Sequence, residues 1–114
     1  MKSQRLYYTH ILERIQQIER FTAEGEGAFM ADDRTQEAVI RCFEVIGEAV
    51  KRLEPTLTAQ HTMVSWRGFA GFRDVLIHQY DDIEIAKVWE TVRDDLPTLK
   101  VAIEAILAEL PDED

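Results

Sequence analysis

The chain reads as an all-α protein, an up-down bundle of four to five mostly antiparallel helices in one domain. Three observations predict this. Apolar residues recur at steps of three and four along most of the 114 residues. No stretch of useful length alternates as a half-buried strand would. Glycines, prolines and capping residues fall between the apolar stripes, where helices have to end. At 46% hydrophobic residues the chain can bury a real core. It needs neither a disulfide nor a zinc site, and its single Cys42 could build neither.

Each element has its own signal. Tyr8, Ile11, Ile15, Ile18 and Phe21, widened by Leu12, form one face of a first helix. Glu24-Gly-Glu-Gly27 ends it. Asp33, with Gln36 three residues on, reads as the cap of a second helix carrying Val39, Phe43, Ile46, Val50 and Leu53. Pro55 closes that helix, because the residue before a proline avoids the α region. Thr56 to Met63 is weakly patterned, with room for one short helical turn. Ser65 can cap a third helix starting at Trp66, with Phe69, Phe72 and Leu76 on one face. Asp81 or Asp82 can cap a fourth, whose apolar stripe runs from Ile85 to Leu110. Pro97 should kink or break it. Gly47 and Gly71 fall inside helices, which points to close helix crossings. The domain spans 1–110, and 111–114 reads as an acidic tail.

The formal net charge is −9. It is unevenly distributed: Asp81 to Asp114 holds eleven acidic residues against three basic ones, and the first 80 residues hold eleven against ten. The acidity argues against a broad duplex-binding face and against anionic membranes. No apolar run approaches the ~20 residues of a membrane span, and Met1 to Gln16 lacks the apolar core of a signal peptide. The expectation is a soluble, cytoplasmic protein. Phosphate-binding glycine loops and the zinc-protease motif are absent. Cys42, Trp66 and Trp89 read as packing residues. His10 and His61 have no ligand partners at sensible spacing, so no metal is expected.

The chemistry concentrates in Trp66 to Tyr80, which holds Arg67, Arg73, Asp74, His78 and Tyr80. Arginine offers a fixed fork of donors to phosphate oxygens, and histidine exchanges protons near neutrality. Together they suit RNA cleavage in which a base removes the 2′-OH proton and a cation stabilises the charge at phosphorus. Asp74 could orient either. On a helix Arg73 and His78 stand roughly 140° apart. Either the helix loosens near His78, or the arginine reaches around or meets the histidine of a second subunit.

Arg73-x-x-x-x-His78-x-Tyr80 resembles the signature of HEPN-domain proteins, specifically the HepT-like ribonuclease toxins. Ile46-Gly-Glu-Ala-Val-Lys-Arg-Leu53 resembles that family's second-helix segment, and Asp95-Leu-Pro-Thr-Leu99 resembles its last. The resemblance implies a HEPN-like bundle that forms a homodimer, with Arg73, His78 and Asp74 as the catalytic set in a shared cleft. It implies a metal-independent endoribonuclease without cofactor, acting on RNA, with tRNA among the substrates such an enzyme could cut. Tyr80 would be the acceptor of AMP from a partner, a minimal nucleotidyltransferase antitoxin. Arg67 and Glu48 are further candidates for the RNA-phosphate contact. Two positions depart from the family pattern: Cys42, where many relatives carry a polar residue, and Asp81, where an aromatic is common. The other reading of the same residues is a non-catalytic helical module that binds a nucleotide or docks the nucleotidyltransferase.

Overall fold

The computed structural model describes residues 3–111, the side chain of Tyr80 excepted. Of the tail expected at 111–114, only Pro111 falls among them; the rest lies outside the described residues. All regular structure there is helical: α1 (Gln4–Phe21), α2 (Glu26–Met30), α3 (Asp33–Val50), α4 (Pro55–Thr58), α5 (Trp66–His78), α6 (Ile85–Glu90) and α7 (Leu96–Glu109). A 3₁₀ turn, Tyr80–Asp82, separates α5 from α6, and a π turn, Thr91–Asp95, joins α6 to α7. None of the helices is long and apolar enough to cross a membrane.

The long helices form where the apolar spacing places them. Tyr8, Ile11, Ile15 and Ile18 of α1 are fully buried, as are Val39, Phe43 and Ile46 of α3 and Leu99 and Ile103 of α7. Phe69 and Leu76 bring α5 into the same core. Each such side chain removed from water contributes about 1.5–3 kcal/mol of hydrophobic free energy. α3 sits centrally, packed on α1 along one side and on α5 along the other, and α7 closes against α1. Arg5 ties the start of α1 to the end of α7 by donating to the carbonyls of Leu107 (3.0 Å) and Leu110 (2.7 Å), a charged C-terminal cap supplied from another helix.

The structure corrects several boundaries. α3 is capped by Asp32 rather than Asp33: its carboxylate accepts from the Arg34 amide at 3.2 Å and the Thr35 hydroxyl at 2.7 Å. Gln36 instead donates to the carbonyls of Phe29 and Met30. Those carbonyls end α2, a short helix the glycine-rich sequence had concealed. Gly25, at φ +92°, supplies the left-handed turn before it, and Phe29 then buries itself against Trp89 at a ring separation of 5.3 Å. Asp81 and Asp82 cap nothing. Both lie in the 3₁₀ turn, and Glu84 holds the cap position of α6. Phe21, at the end of its stripe, is 43% exposed.

The expected interruption at Pro97 takes the form of a π turn: the apolar stripe is carried by two helices, α6 and α7, joined by Thr91–Asp95. Backbone angles stay helical from α6 through the π turn into α7. Proline lacks an amide hydrogen and its ring crowds the carbonyl four residues earlier. The wider π turn just before Pro97 absorbs both effects, so Pro97 sits in the first turn of α7, where no amide donor is needed.

Candidate active site

The site is built on the crossing of α3 and α5. Gly47 lies where the two helices touch. A Cβ there would overlap the Cβ of Arg73 and stand 2.8 Å from the Phe69 carbonyl oxygen. The missing side chain lets α5 approach closely enough to set the base of Arg73 on the backbone of α3. Gly71, the other helical glycine, makes no such crossing: nothing lies within 4 Å of its Cβ position.

Arg73 is three-quarters buried and faces carboxylates on both helices. Its Nη2 lies 3.2 Å from Glu48 Oε1, and its Nη1 donates to Asp74 Oδ1 at 3.1 Å. Its Nε is buried with no hydrogen-bond partner among the described residues. Lys51 Nζ donates to the same Asp74 oxygen at 2.7 Å, and Arg52 Nη2 donates to Glu48 Oε2 at 3.1 Å. The Lys51 ammonium first, and the Arg73 guanidinium second, hold the Asp74 carboxyl below the usual aspartate range. Asp74 thus orients the arginine. Glu48, a candidate for the RNA-phosphate contact, faces Arg52 and Arg73. A carboxylate has no donor for a phosphate oxygen, but it is a natural partner for two guanidiniums.

His78 ends α5, and the helix does not loosen before it. The Gln79 amide still donates to the Val75 carbonyl at 2.9 Å. Five regular helical steps therefore keep the roughly 140° between Arg73 and His78. His78 is exposed, on a stripe of α5 with Arg67, Gly71 and Val75. Arg67 is six residues before Arg73, about 9 Å along the axis and on another face, so the structure does not bring it to Arg73. The backbone of Tyr80 opens the 3₁₀ turn two residues beyond His78; its side chain lies outside the described residues. Asp81 beside it is exposed.

Arg73 also lines a groove of about 270 Å³ where α1, α3 and α5 meet, with Tyr7, His10, Arg41, Glu48 and Arg52 among its walls. The sequence had given His10 no role beyond dismissing it as a metal ligand. Its signal for this place was the step of three from Tyr7, which puts both rings on one face of α1 beside the core stripe. Cys42 does not line the groove. It is buried against α1, its Sγ 3.5 Å from Gln17 Oε1, and burial pushes its thiol pKa up. The departure at Cys42 therefore leaves the groove wall unchanged, and the thiol is poorly suited to nucleophilic chemistry. Among the described residues, no three His, Cys, Asp or Glu side chains gather as a metal site would require.

The arrangement offers a preorganised guanidinium, a carboxylate that aligns it, and an exposed imidazole on another face of the same helix. Residues 11–106 match the family model for ribonuclease HepT-like proteins. The chain is 40% identical over 106 residues to a protein of Thermococcus cleftensis named as a probable ribonuclease HepT, covering 92% of this chain and 96% of that one. It is 37% identical over 108 residues to a Caldanaerobacter subterraneus protein named as a candidate RNase, covering 94% and 96%. A Methanocaldococcus jannaschii protein, named as a gamma-glutamylcyclotransferase and candidate RNase, is 39% identical over 110 residues; the alignment covers 96% of this chain and half of that longer protein. No solved structure gives a significant match.

Proposed function

The chain belongs to the ribonuclease HepT-like family, and from that premise we propose that it is a metal-independent endoribonuclease whose working pair is Arg73 and His78. The observation that carries this reading is the setting of Arg73. It is a permanent cation locked against α3 by Gly47 and aligned by Asp74 and Glu48, five residues before an exposed histidine.

The reaction uses only groups of this kind. An imidazole takes the 2′-OH proton, and the 2′ oxygen attacks phosphorus. The P–O5′ bond breaks, a 2′,3′-cyclic phosphate forms, and the departing 5′ oxygen receives a proton from a second imidazole or water. The guanidinium stabilises the added charge on the phosphoryl oxygens through the transition state. Because regular helix geometry separates Arg73 from His78 on one chain, the site is best completed by a second copy. The exposed stripe of Gly71, Val75 and His78 supports that reading. Val75 is 42% exposed, and Gly71 has open space around it. A homodimer packed along this stripe would place His78 of each copy in a shared cleft with the arginines.

The same reading makes the chain the toxin of a toxin–antitoxin pair. A partner nucleotidyltransferase would silence it by moving AMP from ATP to the Tyr80 hydroxyl, releasing pyrophosphate. The added phosphate beside His78 would repel RNA. Coexpression with such a partner is expected to add mass in whole AMP units, and Tyr80→Phe to abolish the gain.

The deciding experiment incubates the purified, unmodified chain with cellular RNA in excess chelator. Cleavage is expected. Arg73→Ala and His78→Ala should each lower it by about 100-fold or more. Absent cleavage, or cleavage indifferent to both substitutions, would refute the enzyme. Tight association with the nucleotidyltransferase without adduct or cleavage would favour the non-catalytic module.

A further inference from the structure

The groove beside Arg73 has features that the cleavage chemistry leaves unused. One wall is α1, with the half-buried ring of Tyr7 and the exposed ring of His10. The other runs along α3 from Arg41 and past its end to Arg52, in the turn that follows Val50. Those two arginines are eleven residues apart in the sequence. With Arg73, the groove holds three guanidiniums against the carboxylates of Glu44 and Glu48, on a chain whose net charge is −9. Each of the three already faces an anion there: Arg41 meets Glu44 at 3.3 Å, and Arg52 and Arg73 meet Glu48 at 3.1 and 3.2 Å.

Three spaced cations flanked by two aromatic rings match a short single strand of nucleic acid. Guanidiniums follow successive phosphates, and rings stack on unpaired bases. A duplex does not fit: its bases are already stacked, and the excess of cations over carboxylates is too small to hold a broad phosphate face. We propose that this groove is a subsite for the unpaired RNA flanking the scissile phosphate. Arg52 and Arg41 contact its backbone, and Tyr7 and His10 stack on its bases. The proposal rests on the ribonuclease reading and adds to it a binding subsite that holds RNA beyond the two nucleotides that react.

The test measures binding apart from cleavage. The full-length His78→Ala chain is titrated into a fluorescein-labelled single-stranded RNA octamer and read by anisotropy, alone and combined with Tyr7→Leu, His10→Ala or Arg52→Gln. His10 and Arg52 are exposed, so their variants keep the fold even if Tyr7→Leu does not. Each is expected to weaken binding by about fivefold or more, Arg93→Gln, at an exposed residue outside the groove, to leave it unchanged, and the duplex form of the octamer to bind more weakly. Affinity indifferent to His10→Ala and Arg52→Gln would overturn the subsite. So would a duplex bound as tightly as the single strand, or free AMP bound as tightly as the octamer. Cleavage is scored separately on the chain with His78 intact. Groove-dependent binding without cleavage would refute the ribonuclease reading alone. Intact cleavage with groove-independent binding would refute the subsite alone.

Discussion

Arg73 brings a permanent charge into a position three-quarters buried, and Asp74 and Glu48 make that tolerable. The Asp74 carboxyl is held low by Lys51 and then Arg73, which gives its contribution a definite pH window. A carboxylate whose pKa is lower in the folded chain stabilises the fold above its unfolded value of 3.8. That stability is lost as pH falls through the lower folded value. Asp74→Asn is therefore expected to lower the urea midpoint at pH 7, with the difference from the wild type closing as pH drops below 3.8. Paired urea titrations at the two pH values check this. A gap that widens on acidification would contradict it. Asp74 is exposed enough that the shift should be small.

At the scale of the helices, one missing Cβ fixes the position of α5. Glycine in an exposed helix costs about 1 kcal/mol relative to alanine. Within a single copy, Gly71→Ala should recover up to about that much, because nothing of the same chain lies near its Cβ position. Gly47→Ala should instead lose about 1–3 kcal/mol, the cost of overpacking a tight interface, since its Cβ would collide with the base of Arg73 and crowd the Phe69 carbonyl. Thermal denaturation of the two variants should move in opposite directions, and RNA cleavage should fall in Gly47→Ala as Arg73 is displaced. Two identical substitutions in two helices thus separate a crossing from an open surface. The other helical irregularity has a local cause as well: the π turn Thr91–Asp95, which divides α6 from α7, lies directly before Pro97.

For the molecule as a whole, the issue is where the two halves of the site meet. If Arg73 of one copy works with His78 of another, a heterodimer of Arg73→Ala and His78→Ala chains keeps one intact pair. Mixing the two inactive variants under exchange conditions should then restore about a quarter of wild-type cleavage, by random pairing in a two-fold dimer. No recovery despite confirmed subunit exchange would place the pair within one chain. The −9 charge bears on the same scale. Most of it falls after Tyr80, while Arg73 keeps its own counter-charges, so the proposed RNA site would rest on a few focused cations on an acidic body.

The helices were legible before any coordinates because hydrophobic spacing is a local, periodic property. Tyr8 to Ile18, Val39 to Val50 and Leu99 to Ile106 became the core as their steps of three and four required. The candidates Arg73, Asp74 and His78 were legible from residue type and from the family resemblance. Other features depend on partners distant in the chain. α2 was hidden because Gly25 and Gly27 read as a turn, and its stabilising contact, Phe29 on Trp89, comes from sixty residues away. Glu48 carried no sign in the sequence that α5 would set Arg73 against it. Gly47 and Gly71 were indistinguishable until one faced a neighbouring helix and the other faced space. Tyr7 and His10 belong to the groove only because α1 packs along α3. Periodicity along the chain specifies which face of each helix is buried. Which polar side chains then meet depends on crossings between helices, and those are set by three-dimensional packing that no local spacing records.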